Sequence, residues 1–211
     1  YQVKDISFSV RRILEIGDDL FCLFGIDGTI MCFDPKHEKV IPTEFDSILS
    51  ADVVFSDLCY IGKGILCGLC RHQLMCWRVE QQEGKVKLIS VLKEKEWRDK
   101  SLIQVCKDDK NRLYALTADF KSLYCYNFES QALFSYDLGE LSRFYDISNI
   151  ASIFVHDDCI WLQKRWQGVI CYNLKNGNHR QINLPEVNFD VRKIVSLGLN
   201  NYCLVTWNGL Y

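Results

Sequence analysis

Leu20–Asp34 reads LFCLFGIDGTIMCFD, two short runs of apolar and β-favouring residues joined at Asp27-Gly28. Runs of this length and composition suit strands buried on at least one face. Asp-Gly is a favoured hairpin dipeptide, because glycine takes a positive φ without steric cost. The stretch therefore predicts strand, tight turn, strand. Versions of it return at Ile65–Arg78 (ILCGLCRHQLMCWR), Leu113–Asn127 (LYALTADFKSLYCYN) and Ile160–Asn173 (IWLQKRWQGVICYN), and a fifth begins at Tyr202–Tyr211 (YCLVTWNGLY).

Cys32, Cys76, Cys125 and Cys171 hold one place in four successive copies, so the spacings are 44, 49 and 46 residues. That period exceeds leucine-rich and ankyrin repeats and matches propeller blades. Each copy holds four candidate strands separated by turn signals. The expected fold is an all-β propeller of four-stranded antiparallel blades, with repeats at about 10–43, 52–91, 102–138, 151–184 and a partial 191–211. The whole chain then forms one propeller domain. Either Tyr1–Ser9 completes the last repeat and closes a five-bladed ring, or the chain is a fragment of a larger propeller. Helix is expected only as a turn or two in the connectors, at Lys93–Lys100 and Leu138–Ile147.

The chain has 211 residues, of which 48% are hydrophobic and 13% aromatic, which excludes a disordered polymer. A net charge of −2 without basic stripes gives no footprint for nucleic acid. The longest apolar runs are strand-sized, so no membrane-spanning helix is expected within the chain. The absence of a starting Met, and an end in mid-repeat, read as a piece of a longer protein.

Eleven cysteines invite a disulfide framework, yet their placement argues otherwise. Cys22, Cys67 and Cys203 share a place that Tyr114 and Trp161 fill in the other copies. A position that accepts Cys, Tyr or Trp is an apolar packing position, and reduced thiols are expected there. Cys67-Gly68-Leu69-Cys70, the sole C-x-x-C, falls inside a predicted strand, where residues three apart point to opposite faces. The histidines (His37, His72, His156, His179) fall at or near turns in different copies. The Asp pairs at 18–19, 108–109 and 157–158 read as turn formers. With no nucleophile elbow, phosphate loop or H-E-x-x-H, the expectation is no enzyme, no metal and no cofactor.

The phrase Leu204-Val205-Thr206-Trp207-Asn208-Gly209-Leu210-Tyr211 resembles the two-component regulator propeller repeat, whose core reads like W-x-G-T-x-x-G-L-x-x-Y/F-D. Leu23–Ile30 with Phe33-Asp34, and Trp161 and Gly168-Val169-Ile170 with Tyr172-Asn173, resemble it again. The copies CGLCRHQLMC and ADFKSLYC depart from the phrase. Such repeats characterise the extracytoplasmic sensor region of hybrid two-component histidine kinases of gut Bacteroidetes. The resemblance implies a periplasmic ligand-sensing module, an oligosaccharide or related small molecule as ligand, and a homodimer through the parent receptor. The kinase would lie outside this segment.

In a propeller the second-to-third strand turns and the inter-blade connectors share the face around the channel mouth. That face is expected to carry Arg71, His72, Phe120, Arg165, Trp166, Trp207 and Asn208, with connector residues Trp97, Arg143 and Tyr145 beside them. Aromatic faces flanked by Arg or Asn suit sugar rings or protein partners. The alternative is a protein-interaction scaffold of another propeller family, cytosolic, which the load of free thiols favours.

Overall fold

The computed structural model describes residues 8–17, 19–46, 54–92, 97, 99–148, 150–164, 168–183, 191–198, 201–206 and 209–210, without the side chains at 192 and 209. The expected β-propeller fold is what forms. Twenty strands among the described residues make five sheets, and the ladders within each repeat are antiparallel between chain neighbours. Two compact units divide the chain, Tyr1–Val105 and Cys106–Tyr211.

In the first unit β1 (Val10–Gly17), β2 (Leu20–Gly25), β3 (Ile30–Asp34) and β4 (Lys39–Ile41) form one sheet in chain order. The next sheet runs β5-β9-β8-β7-β6, from β5 (Thr43–Phe45), β6 (Phe55–Gly62), β7 (Ile65–Cys70), β8 (Gln73–Gln82) and β9 (Lys85–Ser90). The Lys-rich β9 is not an open edge: β5 pairs with it in parallel, Thr43 opposite Val86 and Phe45 opposite Leu88. The chain leaves one sheet and joins the next at Pro42, whose carbonyl accepts the Val86 amide hydrogen at 2.9 Å. Lys85 Nζ then meets Glu44 at 3.0 Å. The added strand leaves Val86 and Leu88 with no exposed surface.

The third sheet orders β10 (Leu102–Lys107), β11 (Leu113–Thr117), β12 (Ser122–Asn127) and β13 (Ala132–Asp137). The fourth orders β14 (Ile150–His156), β15 (Cys159–Lys164), β16 (Gly168–Asn173) and β17 (His179–Ile182). The fifth has three strands, β18 (Val191–Gly198), β19 (Asn201–Thr206) and β20 (Gly209–Leu210). A short 3-10 helix at Gly139–Arg143 is the turn of helix expected in that connector. Most of Lys93–Lys100, and residues 1–7 of the segment Tyr1–Ser9 with its expected role in closure, lie outside the described residues.

The core follows from the repeat columns. Cys22 stands opposite Cys32, Cys67 opposite Cys76, Tyr114 opposite Cys125 and Trp161 opposite Cys171. The two cysteine columns of the sequence are therefore cross-strand neighbours within each blade. Between the first two sheets, Cys22, Cys32, Leu20 and Phe24 pack with Leu58, Leu66 and Trp77. Trp77 is edge-on to Phe45 and Phe55 at 5.4 Å in each case. Burying an aromatic side chain of that size contributes roughly 2–3 kcal/mol before packing geometry is counted. In the second unit Trp161, Val169, Val191, Ile194 and Leu204 form the corresponding cluster. All eleven cysteines are free thiols.

Candidate functional site: the turns after the second strands

Each blade turns from its second to its third strand within a few residues, and the turns differ in chemistry. In the first, Gly25 donates its amide hydrogen to the Thr29 carbonyl at 2.8 Å, and Asp27 Oδ1 accepts that of Thr29 at 3.0 Å. Gly28 sits at φ +83°, and a Cβ there would lie 2.6 Å from the Phe55 carbonyl oxygen. Only glycine fits this turn against the neighbouring sheet.

The second turn is the two-residue loop Arg71-His72, closed by Cys70 opposite Gln73. Both central residues have positive φ, 49° and 65°, the backbone of a type I′ hairpin built without glycine. The His72 carbonyl accepts the Leu102 amide hydrogen at 2.9 Å, and His72 Nδ1 donates to the Leu102 carbonyl at 3.0 Å. His72 thus spends one ring nitrogen on holding the start of β10. Arg71 is exposed and makes no hydrogen bond or ion pair among the described residues.

In the third turn Thr117 Oγ1 donates to Asp119 Oδ1 at 2.6 Å and accepts the Ser122 amide hydrogen at 3.0 Å. Phe120 takes φ 59°, unusual for an aromatic residue, and its ring is half-buried. Arg71 and His72 therefore share one turn, while Phe120 belongs to another in the second unit. Arg165, Trp166, Trp207 and Asn208 lie outside the described residues.

The connector residues behave differently from one another. Trp97 is 2% exposed, a core residue rather than an open platform. It lines a pocket of about 320 Å³ with Gln73, Leu74, Met75, Cys76, Ser90 and Leu92, beside the Arg71-His72 turn. Arg143 is exposed and paired with Glu140 at 2.9 Å. Tyr145 bonds His179 Nδ1 at 3.0 Å on β17, the outer strand of its blade, which takes its hydroxyl out of the expected face.

At the first-to-second strand turns the Asp pairs do more than shape the backbone. Asp108 is buried and holds Arg112 at 2.6 Å. Arg112 also meets Asp158 at 3.2 Å, where Lys175 stands at 2.6 Å and Lys110 at 3.5 Å. The Lys175 and Arg112 hydrogen bonds, with the Lys110 charge, pull the Asp158 carboxyl down to about 2. Asp109, His156 and Asp157 approach with donor atoms within 4.8 Å of one another, and Tyr202 donates to Asp157 Oδ2 at 3.0 Å. The sequence placed these residues in separate turns and did not foresee the convergence of His156 with two carboxylates.

Comparison of the sequence with family models and with curated proteins finds no match. Solved structures resemble the fold. The extracellular domain of the putative one component system BT4673 from B. thetaiotaomicron aligns with TM-score 0.62 at 14% identity, over 95% of this chain and 28% of that one. The extracellular domain of the putative hybrid two component system BT3049 from the same organism aligns with TM-score 0.54 at 15% identity, over 95% and 26%. YCF48 bound to D1 peptide aligns with TM-score 0.62 at 12% identity, over 96% and 62%. This chain spans little more than a quarter of the two Bacteroides domains. The fold expected from the repeat phrases is the fold found in those extracellular domains.

Proposed function

We propose that this chain is the ligand-sensing propeller module of a hybrid two-component sensor, facing the extracytoplasmic side and recognising a carbohydrate or related small molecule. The observation that carries the reading is the strand–turn–strand phrase, present in three of the five copies, in a fold that resembles the extracellular domains of BT4673 and BT3049. The second-to-third strand turns are the proposed ligand face. They offer the exposed Arg71, the half-buried ring of Phe120 and, by sequence, Arg165, Trp166, Trp207 and Asn208. Aromatic faces beside forked donors suit stacking on a sugar ring with hydrogen bonds to its hydroxyls. A ligand that favours one arrangement of domains or of a receptor dimer over another would pass the signal on. The module itself performs no chemistry in this reading.

A thermal-shift panel of oligosaccharides tests it. A sugar well above its Kd raises the melting temperature through linkage, and Arg71→Ala or Trp166→Ala removes the shift without lowering the ligand-free melting temperature. A panel that shifts nothing, from neutral to acidic sugars, removes the carbohydrate reading. A second reading, a cytosolic scaffold for protein partners, is favoured by the eleven free thiols. It is distinguished by the gene context, which would show no signal peptide upstream and no membrane span with kinase modules downstream.

A further inference from the structure

The last residue of the second strand is Gly25, Cys70, Thr117, Lys164 and Thr206 in the five successive blades. It stands at the mouth of each second-to-third strand turn, and the position is enclosed. Cys70 is 9% exposed, Thr206 8% and Lys164 4%. Four blades fill it with a small uncharged residue, and Thr117 turns its hydroxyl back onto its own hairpin. The fourth blade puts a lysine there.

Lys164 has its stem enclosed, while Nζ retains contact with solvent, and Nζ makes no hydrogen bond or ion pair among the described residues. An ammonium with this little contact with water gains from a counter-charge beside it. The neighbouring carboxylate does not serve as one directly. Asp146 accepts the amide hydrogen of Ser148 at 3.0 Å and its hydroxyl hydrogen at 2.5 Å, and feels Lys164 as a nearby charge without a bond to it. Gln163, next along β15, is bonded to Ser152.

We propose that Lys164, at the end of β15, is an anion-binding group, and that the ligand sensed by the module carries a carboxylate, sulfate or phosphate whose oxygen accepts a hydrogen bond from Nζ. The inference rests on the sensing reading and narrows its ligand to an acidic one. The enclosed stem fixes the amine so that little side-chain freedom is lost on binding. The surrounding low-dielectric wall strengthens its attraction for an anion over that of an exposed lysine. The other four blades lack this group, so recognition of the charged end of the ligand belongs to the fourth blade alone.

The test compares sodium glucuronate, sodium sulfate and glucose in thermal-shift and calorimetric titrations of this chain, with sodium chloride matching ionic strength. Native protein is expected to respond to glucuronate or sulfate beyond the chloride control. Lys164→Met, which keeps the stem and removes the charge, is expected to weaken that binding at least ~10-fold. Without added anion the same variant is expected to melt at or above the native temperature, since an uncompensated charge has been removed.

A response to glucuronate alone assigns the site to an acidic sugar, and one to sulfate and glucuronate alike assigns it to oxyanions in general. An anion effect that survives in Lys164→Met overturns the inference. So does a ligand-free loss of stability in Lys164→Met that equals the loss in Asp146→Asn and does not grow in the double variant, the signature of a structural pair. Absence of any anion effect overturns it too. A neutral oligosaccharide that stabilises native protein and Lys164→Met equally overturns the anion site while keeping the sensor. A Lys164-dependent anion effect with no response to any sugar keeps the site and removes the carbohydrate reading.

Discussion

Asp57 accepts the amide hydrogen of Val105 through Oδ2 at 2.9 Å while Oδ1 faces Arg12 Nη1 at 2.9 Å. One carboxylate, 5% exposed, thereby ties β1 and β6 to Val105, the last residue of the first unit. Arg12 also donates to the Leu58 carbonyl. Asp57→Ala strands a buried amide hydrogen and a partly buried guanidinium together, and is expected to cost about 3 kcal/mol. Asp57→Asn keeps an acceptor for Val105 and is expected to lose about half of that. Chemical denaturation of the two variants checks the order; equal losses would mean that the charge alone matters.

The second unit has its own polar tie, and it sets an acid limit. The Asp158 carboxyl falls to about 2 from its usual 3.8. A carboxyl depressed in the folded state contributes stability above its unfolded value and loses it as pH falls through the folded one. The window is therefore roughly pH 4 down to pH 2. Lys175 and Lys110 are exposed partners, so screening leaves a contribution of about 1 kcal/mol. Asp158→Asn is expected to flatten the stability profile across that window, and denaturation at stepped pH measures it. A profile unchanged by the substitution would assign the acid sensitivity to other carboxylates.

The thiols divide by enclosure. Cys22, Cys32, Cys59, Cys67, Cys70, Cys76 and Cys125 are buried, while Cys106, Cys159, Cys171 and Cys203 are half-buried. Burial, with the neighbouring Cys159, pushes Cys171 up to about 12, so this half-buried thiol stays protonated at neutral pH. Alkylation of native protein is expected to mark the half-buried four first and the buried seven only on unfolding. Mass spectrometry of timed samples reads the order. Early labelling of Cys67 would mean that the cross-strand cysteine row is open to solvent.

Much of this was legible in the sequence, for identifiable reasons. The Cys32, Cys76, Cys125 and Cys171 column located the third strands, and the alternation around it located the second, because each blade must bury the same faces. What escaped were relations set by tertiary position. The first repeat reads as ending at about residue 43, which leaves Glu44 and Phe45 unassigned, since nothing in three residues announces a parallel partner in the next sheet. Asp108 and Asp158 read as turn formers, because the Arg112 that joins them lies in a different local pattern. Tyr145 was expected on the ligand face until His179 turned up as its partner on an outer strand. Lys164 was visible as the odd residue among Gly25, Cys70, Thr117 and Thr206, yet a single charge in a strand draws no notice until its burial is known.

Gly168 opens β16 opposite Lys164, the proposed anion group, with φ at +88°. A Cβ placed on it would stand 2.3 Å from the Ile182 carbonyl oxygen and 3.4 Å from the Asn183 Cα, both backbone atoms that cannot rotate away. Gly168→Ala therefore combines a strained left-handed backbone with a clash that must push β17 outward. The expected loss is about 2–4 kcal/mol, well above the gain that glycine-to-alanine gives where the backbone permits it. Because Lys164 pairs in register with Gly168, the displacement should also move the lysine. Gly168→Ala is thus expected to weaken glucuronate or sulfate binding in step with its loss of stability. Lys164→Met, by contrast, loses the binding and keeps the stability. Melting temperature and anion titration on both variants separate a site disturbed through its scaffold from one that has lost its charge, and a Gly168→Ala protein of native stability would show that the turn tolerates another backbone conformation.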